Sequence, residues 1–533
     1  MMMKSFCAAL CLLISLPLLA QKPKVTPFVD HWDKERTIKR SMGQMLDGFE
    51  HGSWKYWYDD GQLMEESNYF RGKLHGEVVR YHENGQMSHR GFFNLDLRDS
   101  LLEAWHENGQ LMERGHFNRD RKTGRWEYFF EDGSPRLVEK YQHDTLLVLE
   151  AWKPDGAQTL TSGTGYLETY FTGGQLQYRM EYQNGMLNGA YNQYFQSGKP
   201  MAEGFYENGL KAGVWTIWHP SGNRKTEAHY QNDRLHGLYR SWFSDGTKEA
   251  EGEHEQGKKS GVWTWYRENG KEEMRGGFVE GEQDGLWEVW FSDGTLNYKG
   301  HYSRGLKTGE WEHFYPDGTL WKRGRYENDL REDLWTTWFE NGKKLQEGKY
   351  GGGKEQGEWQ SWYENGQAKA IGSYKDGKMH GKWEGWSPTG QKLYEGSWDE
   401  DFRHGEWKYW YENGQLQKTG WYDKGVQTGT WRTYDERGTL ASEGSYRNGR
   451  LNGKWTYYFN NGGVWRESHY QEGKLHGSEV EYHNNGQVQT RASYKKGLRD
   501  GKFQAYSRKG QIIREEIFEK GRSVKVVVDH TRK

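Results

Sequence analysis

Five glutamates, Glu83, Glu107, Glu268, Glu364 and Glu412, stand two residues before a glycine, and six histidines, His51, His75, His236, His380, His404 and His476, stand immediately before one. Paired carboxylates could do general acid–base chemistry, but that needs two unlike environments in one cleft. A carboxylate repeated identically along a chain supplies neither the cleft nor the contrast, so these glutamates read as solvated turn residues. The histidines recur singly, without a second His or carboxylate at ligand spacing, and read as turn-flanking polar residues instead of metal ligands. No Ser-His-Asp arrangement, P-loop or dinucleotide-binding glycine pattern stands out. The chain is therefore read as non-enzymatic, with no catalytic, metal-ligating or cofactor-binding residues and no cofactor. What remains is aromatic chemistry, carried by 28 Trp, 35 Tyr and 21 Phe. Rings left partly exposed could stack on a sugar or enclose a cation, and Trp218, Trp242, Trp290, Trp338, Trp362, Trp386 and Trp410 form the candidate binding surface.

These seven tryptophans share one place in a repeat, and the repeat is what positions them. His404 to Gly425, HGEWKYWYENGQLQKTGWYDKG, shows the unit. Asn413-Gly414 lies between two aromatic-rich runs and reads as the two-residue type I′ turn of a β-hairpin. From Gly174 to Gly510 such a tip glycine returns every 24 residues. Four residues before each tip an aromatic always stands, from Trp57 to Tyr506. Seven before it, Trp occupies Trp54, Trp126, Trp215, Trp263, Trp287, Trp311, Trp335, Trp359, Trp383, Trp407, Trp431 and Trp455. Nine before it the residue is Gly, except at Ser100, Leu147 and Asp333, and eleven after it, outside the shortened unit that follows Gly156, Gly or Asp marks a second turn. With Asn413 and Gly414 as the loop, Trp407 lies opposite Gly420 and Tyr422 opposite Gly405, each ring covering the facing glycine. The odd separation of Trp407 and Trp410 leaves two arrangements open: rings on both faces, or a bulge between them.

A lone hairpin is at best marginal in water, so the units must stack and share their burial. The fold expected is all-β: an elongated antiparallel β-meander of about twenty 24-residue hairpin repeats, open, twisted and solenoid-like. Regularity fails between Lys140 and Tyr166, where Leu146-Leu147-Val148-Leu149 forms an apolar run and the tip spacing shortens; a kink or a boundary between subarrays is expected there. Ser41-Met42-Gly43 looks like a truncated first tip, and Gly351-Gly352-Gly353 like a widened turn. The organisation read from these features is 1–20 leader, 21–50 N-terminal cap, 51–145 first subarray, 146–165 irregular segment, 166–521 second array and 522–533 C-terminal edge strand.

Residues 1–20 combine Lys4, an apolar run and Ala20 before Gln21, the pattern of a cleaved secretory signal peptide. Both cysteines, Cys7 and Cys11, fall inside it, so the exported chain would carry no disulfide or thiol chemistry. Without Lys4, 73 basic side chains face 76 acidic ones, interspersed along the chain. That balance gives no electrostatic footprint for nucleic acid and speaks against an anionic lipid surface.

The run Gly396 to Gly405, GSWDEDFRHG, resembles the MORN repeat, and the Tyr-Glu-Asn-Gly tips at 363–366 and 411–414 are more similar to its bacterial variant. The resemblance spans about residues 50–521 and implies a β-hairpin array used for protein interaction or scaffolding. The variant is often labelled an antitoxin component of toxin–antitoxin systems, a label at odds with an exported chain. A weaker likeness is to choline- or glucan-binding repeats of cell-surface proteins. The expectation is an exported scaffold, in periplasm, on the surface or secreted, whose partner is another protein or envelope component. The alternative is a glycan- or choline-type binding module using exposed aromatic pairs.

Overall fold

A computed structural model of the chain describes residues 24–143 and 145–530. The leader read at 1–20 and its Ala20–Gln21 junction lie outside the described residues. The described residues form 43 β-strands and no helix. They fall into two compact units, residues 1–246 and 247–533. The first runs from strand Val25–His31 to Arg234–Trp242, the second from Lys248–Glu255 to Arg522–Asp529. Within each unit the strands pair antiparallel with their neighbours in sequence. Among the described residues no pairing closes a unit's first strand on its last, so each is an open meander of hairpin repeats, as the periodicity requires.

One repeat is a nine-residue strand, a tip, an eight-residue strand and a second turn, as in Phe402–Trp410, Leu416–Asp423 and the following Val426–Tyr434. The two turns are the reverse of what Asn413-Gly414 suggests. At the tip, Tyr411 N–H donates to Gln415 O (2.9 Å) and Gly414 N–H to Tyr411 O (3.0 Å), which encloses three loop residues. Of these, Gly414 alone takes positive φ, 88°. This is a type I turn closed by a left-handed glycine, the three-residue hairpin loop. The two-residue turn with positive φ at both positions lies at the other edge, at Lys424 (46°) and Gly425 (81°), where Asp423 faces Val426. Gly352 and Gly353 (58° and 79°) form the same two-residue turn, so the triple glycine is not widened.

The expected register nevertheless holds: Trp407 faces Gly420, and Gly405 faces Tyr422. Three loop residues would shift the pairing by one, but Tyr409 faces Lys418 while Trp410 faces Leu416, so Gln417 is an extra residue that restores it. The tip asparagine has another use. Asn413 Oδ1 accepts the Gln415 N–H (3.0 Å), and its Nδ2 donates to Glu436 O of the next tip (2.8 Å). Asn84, Asn108, Asn341 and Asn365 brace their neighbouring tips in the same way. An aspartate could accept but not donate this second bond.

The covering of glycine runs between repeats, not across the hairpin. A Cβ on Gly396 would fall inside the Trp407 ring, and one on Gly420 inside Trp431. Each of the twelve tryptophans seven before a tip lies in this way on a glycine of the preceding short strand, from Trp54 on Gly43 to Trp455 on Gly444. Gly43 is therefore a mid-strand seat within Lys39–Leu46, not the tip that Ser41-Met42-Gly43 suggests. The cause is a bulge. Glu395 faces Lys408 and Ser397 faces His404, so Gly396 alone spans Gly405, Glu406 and Trp407. The surplus backbone turns at Gly405, with φ 73° and nothing near its would-be Cβ. Trp407 then folds flat onto Gly396, and its indole N–H reaches the Ser397 carbonyl (3.1 Å). The same bond recurs at Trp126, Trp215, Trp311 and Trp455. Ser100 and Asp333, two of the three residues that replace the bulge glycine, take the same left-handed conformation, φ 66° and 56°.

The irregular segment is built differently. Strand Thr145–Trp152 meets a hairpin whose first strand, Gln158–Thr161, has four residues. Buried Val148, Ala151 and Leu160 replace the indoles there, with Leu137, Leu167 and Tyr182 against them. Because that hairpin is short, the turn at Gly185 reaches back over it: Gly185 N–H donates to Gly163 O (2.9 Å) and Val148 N–H to Gly185 O (2.9 Å).

Candidate interaction surface

The arrangement of rings is now decided: both faces carry them. On one face, Trp407 stacks on Tyr409 two residues away (5.8 Å). It also meets Trp398 (5.5 Å) and Tyr422 (6.1 Å) edge-on. Tyr422 passes the contact to Trp431 (5.2 Å), Trp431 to Tyr446 (6.1 Å) and Tyr446 to Trp455 (5.3 Å), an alternating T-shaped chain. Trp126, Trp311 and Trp407 are 0–2% exposed, although only a single layer of strands lies beneath them.

This face contains aromatic cages, and the chain fills them itself. The Arg403 guanidinium lies 5.0 Å from the Trp407 ring centre and 5.3 Å from Tyr422, and donates to the Tyr422 hydroxyl (3.2 Å). Lys307 sits likewise over Trp311 (4.6 Å) and Tyr326 (5.3 Å), and Lys211 over Trp215 (4.2 Å) and Tyr230 (5.2 Å). These cations stand four residues before the tryptophan, a same-face spacing once the bulge is counted. Sequence reasoning missed them, though the recurrence of Lys or Arg at that position was visible.

Within their own units, Trp218 and Trp242 in the first and Trp290, Trp338, Trp362, Trp386 and Trp410 in the second lie on the opposite face, by strict alternation from the ring three residues earlier, a buried tryptophan in every case but Tyr239. All seven are half-buried. Cations flank several: Arg275 is 5.5 Å from Trp290, Lys344 is 5.6 Å from Trp362, and Lys392 lies between Trp386 (6.0 Å) and Trp410 (5.6 Å). A ladder of cross-strand ion pairs runs beside them, including Arg275–Glu288 (2.7 Å), Lys299–Glu312 (2.9 Å) and Lys454–Glu467 (2.6 Å). Hydrogen bonds from Lys382 and then Lys392 hold the Glu384 carboxyl below its ordinary range. Exposed pairs of this kind add little stability each; their effect here is a long face of alternating charge.

The glutamates that opened the question of acid–base chemistry are exposed at the tips. It is their backbone that is used: the carbonyls of Glu107 and Glu364 accept the asparagine braces (2.7 and 3.0 Å). His380 and His404 each face one carboxylate, Asp399 (3.3 Å) and Asp423 (3.8 Å).

These features define an all-β hairpin-repeat protein. The MORN repeat variant matches twelve of its hairpins, at residues 50–70, 74–94, 98–119, 187–208, 211–232, 283–304, 307–328, 355–376, 403–423, 427–448, 451–472 and 475–496. Each match spans one hairpin, long strand, tip and short strand. The match is to the repeat and carries no toxin–antitoxin assignment. A comparison with curated protein sequences finds no match. Among solved structures, the crystal structure of TcdB2-TccC3-Cdc42 is 12% identical over 93% of this chain and 31% of that one, with a TM-score of 0.14. That of TcdB2-TccC3 is 11% identical over 94% and 33%, at 0.13. A Photorhabdus luminescens Tc holotoxin pore is 11% identical over 93% and 30%, at 0.14. This chain thus spans about a third of those chains, and at such scores the likeness carries no argument.

Proposed function

We propose that the chain is an exported, non-enzymatic MORN-variant scaffold that binds another protein or envelope component along its repeats. The observation that carries this reading is that the rings seven before the tips are committed within the chain. Each indole is seated on glycine, and in repeats such as those of Trp215, Trp311 and Trp407 the adjoining cage is occupied by the chain's own cation. That leaves long charged faces as the surface offered to a partner, which suits association with a protein better than capture of a quaternary ammonium. A second reading, a glycan-binding module, rests on the seven half-buried tryptophans of the other face.

Affinity capture of tagged residues 21–533 from the native envelope after mild cross-linking, followed by mass spectrometry of proteins and glycans, tests both. One stoichiometric protein partner supports the scaffold. Enrichment of wall polysaccharide without a protein, abolished by Trp362→Ala and Trp386→Ala, moves the function to the second face and sinks the scaffold reading.

A further inference from the structure

One seat in the ladder is empty of a ring. After the first seat, Gly43, glycine stands six residues after the tip wherever a tryptophan covers it, but Gly91 also holds that place, and the residue over it is Leu102. A Cβ on Gly91 would meet Leu102 Cδ1 at 3.6 Å, ordinary contact distance, where at the other twelve it would fall inside an indole. The bulge that shapes the seat is still present, with Ser100 at φ 66° and the register shifting between Gly91 and Phe92. Leu102 brings no donor to the Phe92 carbonyl, the place where the other repeats have an indole N–H. The preceding tryptophan position is Val78, so two ringless positions adjoin.

A cavity of about 450 Å³ opens there, within the range of ligand sites. Val78, Leu102, Phe93 and Phe117 give it apolar walls, and Arg80, Arg90, Arg98, Lys122 and His89 line it against one carboxylate, Glu113. The partner carboxylates of three of these cations, Glu65, Glu77 and Asp120, do not line it.

We infer that this cavity is a seat for an aromatic side chain flanked by a carboxylate, delivered by a segment of a partner protein. The occupant follows from the chain itself. At twelve equivalent places the guest is an indole carried on a polypeptide, with its N–H on the matching carbonyl, and here, beside a seat without a ring, more cations than acids line the cavity. The inference rests on the scaffold reading but is tested apart from it, since it needs no native partner.

The test is fluorine NMR of two peptides carrying fluorotryptophan, acetyl-Glu-Trp-Asp-amide and acetyl-Lys-Trp-Lys-amide, titrated with the full chain. The acidic peptide is expected to bind at millimolar concentration or tighter and the basic one at least about tenfold more weakly. Leu102→Trp should fill the seat, abolish binding and slow amide exchange around Gly91 by about tenfold or more, since the twelve other seats accept the same ring. Arg98→Gln should reduce the preference for the acidic peptide without abolishing exchange protection. Equal binding of both peptides, binding that survives Leu102→Trp, or free indoleacetate binding as well as the acidic peptide would each overturn the assignment. Capture of no partner from the envelope would instead sink the scaffold reading and leave this result standing.

Discussion

Replacing Gly396 by Ala should cost far more than replacing Gly405 by Ala, and the excess should vanish when Trp407 is absent. A methyl on Gly396 enters the space of the Trp407 ring. If the ring holds its place, overpacking costs about 1–3 kcal/mol. If it is driven off, the loss approaches the burial of about 200 Å² at about 25 cal/mol/Å², roughly 5 kcal/mol, with about 1 kcal/mol for the bond to Ser397. The expected cost is therefore about 3–5 kcal/mol. Gly405 has open space around its would-be Cβ and a φ of 73°, so Ala there costs only the left-handed conformation, about 1–2 kcal/mol. Long repeat arrays do not unfold in one step, so the readout is native-state hydrogen exchange in peptides covering residues 395–410, where 3 kcal/mol is about a hundredfold in rate. In the Trp407→Ala background, Gly396→Ala should be nearly neutral, a coupling of about 3 kcal/mol. An equal cost in both backgrounds would refute the seating of the indole as the reason for the glycine.

Three further outcomes follow from the same geometry. Ser100→Gly should stabilise its repeat by about 1 kcal/mol, seen as slower local exchange, because serine there holds φ 66°. Asn413→Asp should cost about 1 kcal/mol: the carboxylate still accepts from Gln415 but offers no donor to Glu436 O, and the faster exchange should extend to the 435–439 tip. His313 is held at about 4 by burial, then by the charges of Lys322, Lys307 and Arg331. Its folded pKa lies below the unfolded one, so the unfolded chain binds the proton first, and stability should fall as the pH drops from about 6.5 to about 4 and level off below. Exchange of residues 306–326 across that range measures this, and His313→Gln should flatten the profile.

How much of this was legible depends on whether the signal is periodic within one strand or made by two strands that meet. The hairpins, their antiparallel order and the pairing of Trp407 with Gly420 follow from spacing alone, because an alternating pattern fixes register wherever a face is buried. The turn types do not. Asn-Gly serves a type I′ loop and a three-residue loop closed by glycine equally well, and tips without the asparagine, such as Asp293-Gly294 and Asp317-Gly318, form the same three-residue loop. The target of the indole was misjudged for a related reason. Facing Gly420 across the hairpin, Trp407 has no visible reason to prefer Gly396, until the bulge at Gly405 puts three residues against one and tips the ring the other way. Once that is seen, the repeats explain one another. Seven residues before a tip, tryptophan occurs only over glycine, while Val78 faces Ser67, Phe503 faces Ala492 and Glu479 faces Ser468. A larger residue in the seat thus excludes the indole. Gly91 breaks the rule in the other direction, a seat kept without its ring and buried beneath Leu102 instead. Leu102 buries the glycine itself, so a ring arriving from outside would pack beside it, against Leu102 and Val78 in the adjoining cavity, and that is why this place, more than the half-buried tryptophans of the other face, is where a partner's side chain would add stability to this fold.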